Sequence, residues 1–513
     1  MKLHSWALCT ALLAGGLLSF PVRASDHADP QSVLNPFKPL DDSAANITDL
    51  HAFLADEKGR PILEDVSITG KDAADTAGQR SNEVKARLEK ADQLIVSLCV
   101  RRRLLPDQIG KLQSKEKLSD YSFRVHLDLN PTMHHFDPAR SADAVKKLDD
   151  EIKKQAEARD IARKASPPAF GGILSDNEIM AEKALLGLLV KRGALLAQNQ
   201  AEDLAERLYG GIIDKPEAIS DQVLLDFHLD LKPDGVNSET VVVMPKISGI
   251  PLRPNVVIEK RLNFDKGEPF IDEAKFAKGA INVQGGIFDD PFIFPRFFRG
   301  NVIGIVISIP LDALRKPNGE PVRGQPLLLW GTTHKPDGTI SDFVGRSLRT
   351  QLPRFGYLNA LPPSQHVAEI MRVHANPTLM ENGLATFIAP LEAHRHYDAV
   401  PDVMVFDLAL PAKFPNGRWY ADDISKTLAD NGETLLLELS CSESRQTPRA
   451  TTNDKPFRAD FPYLAPRWTP LQIKEHSSPG VLFGDFNLIN DACQAVPKPV
   501  AGATAADTAP KPG

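Results

Sequence analysis

Four cysteines in 513 residues are too few for a disulfide-built scaffold, so the fold must rest on a hydrophobic core. Aromatic residues make up only 7 % of the chain, which is low for a carbohydrate-binding cleft. Beyond the first 24 residues no apolar run approaches the ~18 residues that a membrane helix needs. The longest such run, NVIGIVISIPL (Asn301–Leu311), is β-branched, contains Pro310 and reads as a buried strand. Basic clusters dense enough to track a phosphate backbone are missing, and the net charge is −7, which argues against nucleic acid as a partner. His-Glu-x-x-His, Cys-x-x-Cys, Gly-x-Ser-x-Gly and Gly-x-x-x-x-Gly-Lys do not occur, which removes four common catalytic and phosphate-binding readings.

What the chain does have begins at its N-terminus. Residues 1–24 read as a secretory signal peptide: Lys2 is the positive start, SWALCTALLAGGLLSF is the apolar segment, and Val22 and Ala24 are the small residues before a cleavage site. The expected location is therefore periplasmic or secreted, with no membrane span left after cleavage. Loss of Lys2 and Arg23 takes the net charge from −7 to −9. Cys9 leaves with the peptide, and an odd set remains: Cys99, Cys441 and Cys493. Cys441 and Cys493 lie in polar surroundings and form the candidate disulfide, with two unrelated thiols as the alternative. Cys99, inside LIVSLCV, reads as a buried free thiol.

Forty-one prolines and 33 glycines cut the rest into short segments. Many of these are strand-like. In SFRVHLDLN, Phe123, Val125, Leu127 and Leu129 alternate with Arg124, His126 and Asp128, the pattern of a half-buried strand. The expected class is mainly β (α+β), an antiparallel sandwich-like or barrel-like body. A helical hairpin at about 141–210 interrupts the strands, with Ser141 and Asp176 as expected N-caps and a third short helix at AEDLAERLYG. One large domain then covers residues 25–495, and the Ala/Pro-rich residues 496–513 form a tail of disordered composition.

The chemistry-bearing residues are mostly acidic and mostly in turns. Asp26, His27, Asp29, Asp41, Asp42 and Asp49 gather near the start of the mature chain. Carboxylates in loops suit a divalent cation: calcium if all ligands are oxygen, a transition metal if His27 and His51 take part. The same residue types also build ordinary polar turns. Asp289 and Asp290, between Phe288 and Phe292, are the candidate carboxylate pair of a hydrolase or, alternatively, the makings of an Asx-turn before Pro291. Asp422 or Asp423 is placed to cap the helix ISKTLAD after the turn at Pro415–Gly417. Three arginines in GRSLRTQLPRFG (Gly345–Gly356) offer an anion clamp or, alternatively, a solvated loop.

Taken in order, SDHADP, DDSAANITDLHAFL, GGIFDDPFIFP followed by GNVIGIVISIPLDAL, and FPNGRWYADDIS resemble the bacterial family called domain of unknown function 4331. The resemblance covers most of residues 25–430 and leaves out the helical insert. Two positions depart from the family pattern: His51 stands in place of an aromatic residue, and Pro295 in place of an acidic one. The resemblance implies an exported β-rich protein and assigns no activity. The expectation is a non-enzymatic extracytoplasmic binding or structural module. Its partner would be an unidentified protein, an envelope component or a small ligand. The alternative is a carboxylate-dependent or metal-assisted hydrolase of the cell envelope.

Overall fold

A computed structural model describes residues 46–63, 83–100, 118–165, 175–233, 239–257, 259–263, 268–271, 276–292, 299–347, 349, 358–375, 399–431, 452–469 and 472. The strands are β1 (Ile47–Asp56), β2 (Ala91–Val100), β3 (Ser122–Asp128), β4 (Met133–His134), β5 (Ile212–Ile213), β6 (Val223–Pro233), β7 (Glu239–Ser248), β8 (Pro254–Val256), β9 (Glu259–Asn263), β10 (Glu268–Ile271), β11 (Ile281–Asp289), β12 (Asn301–Pro310), β13 (Pro326–His334), β14 (Ile340–Val344) and β15 (Met404–Asp407). The helices of seven residues or more named here are α1 (Pro138–Ala165), α2 (Asp176–Tyr209), α3 (Pro363–Ala375) and α4 (Ile424–Asp430).

Two sheets carry the body. The first has the order β1-β2-β12-β11-β8, and the second β14-β13-β3-β6-β7 with β15 also pairing β13. β4 with β5, and β9 with β10, form separate two-stranded pieces. Pairing is antiparallel except where β8 runs parallel to β11. The sheets pack face to face and neither closes into a barrel, so the sandwich alternative is the one adopted. The closeness of the layers explains Gly285 on β11: a Cβ there would lie 2.1 Å from Val243 Cγ2 on β7.

The first sheet is buried on both faces. β12 is buried along its whole length, which is why its sequence is an unbroken apolar run instead of an alternation. Its outer face is covered by chain from far downstream: a Cβ on Gly304 would meet Leu464, and the Phe53 ring touches Trp419, Tyr420 and Tyr463. The second sheet behaves as its alternation predicts. Phe123, Val125 and Leu127 enter the core, while Arg124 and His126 lie half-buried on the other face. Asp128 departs from the pattern. It is buried at the strand end, where it accepts from the Asn130 and Ser220 amides.

α1 and α2 form the expected antiparallel hairpin, tied by Arg192–Asp149 at one end and Arg159–Glu182 nearer the other. Its caps lie upstream of the expected ones. Asp137 accepts from Ala139 and Arg140 with Pro138 in the first turn, and Ser175 with Glu178 forms a capping box. The expected third helix is the end of α2, because no Pro or Gly separates AEDLAERLY from what precedes it. α2 carries Leu186, Leu189, Val190 and Leu196 on its outside. Among the described residues no helix is long and apolar enough to cross a membrane.

Candidate functional site around Arg418

Three of the four sequence motifs meet at one buried guanidinium. On β1 the pairing register shifts between Ile47 and Asp49. After that shift Asp49, His51 and Phe53 share a face by strand alternation, and His51 and Phe53 pack against downstream rings. The late motif arrives there through Pro415, Asn416 and Gly417. Gly417 has φ +63°, and a Cβ on it would come 2.8 Å from the Ala52 carbonyl oxygen, so glycine is required. Arg418 then pairs its main chain with Ala52 in both directions, at 2.8 and 3.1 Å. Its side chain turns back along β1. Nη2 lies 3.3 Å from Asp49 Oδ1, and Nη1 donates to the Leu50 carbonyl at 3.4 Å. The guanidinium also stands 5.7 Å from the ring centroid of Phe292, the phenylalanine of the Asp-Asp-Pro-Phe segment. The Asp49 and Arg418 side chains are 0 % and 2 % exposed. This is a buried ion pair joining segments 369 residues apart.

His51 sits beside this pair with its ring 4.5 Å from Tyr420. Neither ring nitrogen has a hydrogen-bond partner. Burial first, and then the Arg418 charge, hold its pKa well below the usual imidazole range, so the ring is neutral at pH 7. Asp422 accepts from the Phe414 and Trp419 amides at 2.9 and 2.8 Å, which fixes the turn that presents Arg418. Its neighbour Asp423 takes the expected capping role, accepting from Lys426 at the start of α4.

The carboxylates of the Asp-Asp-Pro-Phe segment point into protein. Asp289 and Asp290 are 1 % and 2 % exposed. Trp468 Nε1 and Asn453 Nδ2 donate to Asp289 at 2.7 and 2.6 Å. Asp290, and not Asp289, closes the Asx-turn by accepting from the Phe292 amide. Burial and then the nearby Asp454 raise the Asp289 pKa well above the carboxylate range. Burial likewise pushes Asp454 up to about 7. Lys455 lies beside them but gives its ammonium hydrogens to the Pro466 and Arg467 carbonyls and to Gln472.

A second polar chain crosses the outer face of the β3–β13 pair. Asp221 bonds His126 Nδ1 at 2.8 Å, and His126 Nε2 meets Thr332 Oγ1 at 2.8 Å. Thr332 Oγ1 also meets His334 Nε2 at 2.9 Å, while His334 Nδ1 reaches the Gly338 carbonyl at 3.1 Å. A carboxylate, an imidazole and a hydroxyl in this order are the parts of a base-activated nucleophile. Here the Gly338 carbonyl and the Asp221 carboxylate each take an Nδ1–H. The single Thr332 hydroxyl therefore lies between two imidazole Nε2 atoms. Thr332 is 2 % exposed, so the hydroxyl is spent on bracing the two strands.

Of the residues read from sequence, Asp49, Asp289 and Asp290 are placed, and Asp49 lies in an ion pair. Asp26, His27, Asp29, Asp41 and Asp42 lie outside the described residues, as do Cys441 and Cys493. Cys99 is a buried free thiol. Among the described residues no group of three or more His, Cys, Asp or Glu is arranged to hold a metal ion. Sequence reading missed Arg418 as a partner, since it looked like one turn residue among others, and it missed the Asp221–His126–Thr332–His334 chain. The only signal for that chain was His126 on the polar side of an alternating strand. Comparison with known proteins yields no matching family model, curated protein or solved structure.

Proposed function

We propose that the protein is an exported, non-enzymatic β-rich module of the bacterial cell envelope, held together by the acidic residues that its sequence displays. The observation that carries this reading is the buried Asp49–Arg418 pair. The most suggestive carboxylate of the mature N-terminal region is bonded to a guanidinium inside the fold. Asp422 and Asp289 are likewise used on internal donors. The signal-peptide pattern of residues 1–24 and the resemblance to domain of unknown function 4331 support export. The apolar residues on the outside of α2 are in keeping with a protein partner, an envelope component being the other class. A divalent cation at the acidic opening segment, calcium for an all-oxygen site, belongs to the same reading.

The runner-up is hydrolysis by paired carboxylates, which needs an acid and a base on a common open groove. The burial of Asp289 and Asp290 weighs against it. Two measurements test the proposal. Intact-mass analysis of the protein from the periplasm or medium should give a chain starting at Ser25. Full-length protein confined to the cytoplasm would overturn it. Assays on generic esters, phosphoesters and glycosides should show no turnover dependent on Asp289. Turnover lost in Asp289→Asn at unchanged stability would favour the hydrolase.

A further inference from the structure

Among the described residues, half of the large hydrophobic side chains left exposed lie on one helix, α2. Leu186, Leu189, Val190 and Leu196 are 62, 47, 64 and 40 % exposed. At about 100° per residue they fall, with Gly193 between them, within about 120° of arc on one side of the helix. Arg192, which pairs with Asp149 of α1, points about a quarter turn away, so α1 leaves this stripe open. The helix meets the body near its C-terminal end, where Ala205, Leu208 and Tyr209 join a small apolar cluster with Phe292 and Leu358. An apolar stripe on a helix of a globular protein is normally turned to the core, and this one is turned to solvent.

The order of the residues says what fits against it. When two identical helices cross antiparallel on a two-fold axis, residue i of one faces residue j of the other, and j of the first faces i of the second. With Gly193 on the axis, Leu189 faces Ala197 of the second copy, Val190 faces Leu196, and Leu186 faces Gln200. Ala197 and Gln200 are exposed on the same side as the stripe. That side carries no charged residue from Leu186 to Gln200, so closing the contact strands no charge. Gly193 has nothing within 4 Å of the place a Cβ would take, so two backbones can approach closely at the axis. The stripe is thus its own complement. We propose that α2 pairs antiparallel with α2 of a second copy of this chain, crossing at Gly193.

The area sets the strength. At these exposures the four side chains present roughly 300 Å² of apolar surface per copy, the size of patch that marks an interaction site. Two copies then cover about 600 Å² of apolar surface in a contact on the order of 1,000 Å², since interfaces are about 60 % apolar. That is the low end for specific association, so a reversible dimer with micromolar affinity is expected. The inference rests on the reading of α2 as a partner surface of an exported protein. A monomer that starts at Ser25 would overturn the pairing alone, and a dimer of uncleaved cytoplasmic chains would overturn export alone.

The test uses the mature full-length protein. Sedimentation equilibrium from about 1 to 500 µM should show a reversible monomer–dimer equilibrium. Leu189→Glu should weaken it by at least about 10-fold, because each dimer then buries two carboxylates. Its urea midpoint should match wild type at a concentration where both are monomers, since Leu189 is half exposed in the single chain. The register has its own readout. Under mild oxidant Gly193→Cys should form a covalent dimer faster than wild type, because the axis brings the two sulfurs together. Lys183→Cys should not, since its two copies would sit about 30 Å apart along the paired helices. Four results would overturn the proposal: a monomer at every concentration, a monomer that sediments with phosphatidylglycerol vesicles, a dimer unchanged by Leu189→Glu, or a covalent dimer from Lys183→Cys in preference to Gly193→Cys.

Discussion

Removing one member of the Asp49–Arg418 pair should do far more damage than removing both. Both side chains are buried, so Asp49→Leu takes the carboxylate away from a buried guanidinium, whose contacts include the Leu50 carbonyl at 3.4 Å. Breaking a buried pair from one side costs about 3–5 kcal/mol, and the 3.3 Å separation places this pair toward the lower figure. For a large domain that amounts to a fall in Tm of about 2 °C per kcal/mol, or roughly 6 °C. Arg418→Met should cost a similar amount. Replacing both partners by apolar groups, Asp49→Leu with Arg418→Met, removes two desolvation penalties at once. It should bring stability to within about 1–2 kcal/mol of wild type. Urea unfolding of the four proteins gives the coupling energy, which should be at least about 2 kcal/mol. Strictly additive losses, with coupling under about 0.5 kcal/mol, would mean that the two charges do not depend on each other and would refute the reasoning.

Three further outcomes are expected. His135 is raised to about 10 by its hydrogen bonds to Asp407 and Glu206, so its contribution is complete below pH 6.5 and is lost as pH climbs toward 10; His135→Ala should flatten the stability profile between pH 7 and 10, and an unchanged slope would count against the bonds. Asp454, raised to about 7 chiefly by burial, has the opposite consequence: the folded state binds an extra proton between about pH 4 and 7, so stability falls as pH rises through that window, and Asp454→Asn should remove the slope. Gly285→Ala forces a methyl against Val243 between the sheets and should cost about 1–3 kcal/mol by calorimetry, whereas a neutral result would place the sheets further apart than described.

How much of this was legible in the sequence depends on whether the cause is local. The alternation of Phe123, Val125 and Leu127 revealed a half-buried strand, because one face of β3 meets the core and the other does not. The apolar run of β12 signalled a buried strand, but it could not say what covers its outer face. That cover includes Leu464, which a Cβ on Gly304 would meet and which no local pattern connects to β12. Helix starts were misplaced by one to a few residues because Ser, Asp and Asn all cap. Asp137–Pro138 and Ser175–Glu178 outcompete the neighbours that looked suitable. Asp49 was legible as one acid of the opening segment. Its partner was not, since only the folded chain brings Arg418 beside it.

The central claim is that the displayed carboxylates hold the sandwich together. It is tested most directly by comparing urea midpoints of Asp49→Asn and Asp422→Asn with that of Asp337→Asn. Asp337 is an exposed turn residue that accepts from its neighbour Thr339. Both internal variants should lose midpoint by amounts worth more than about 1 kcal/mol with unchanged slope, and the turn variant should lose less than either. Wild-type midpoints in Asp49→Asn and Asp422→Asn would contradict the account, because those carboxylates would then be free for some other use.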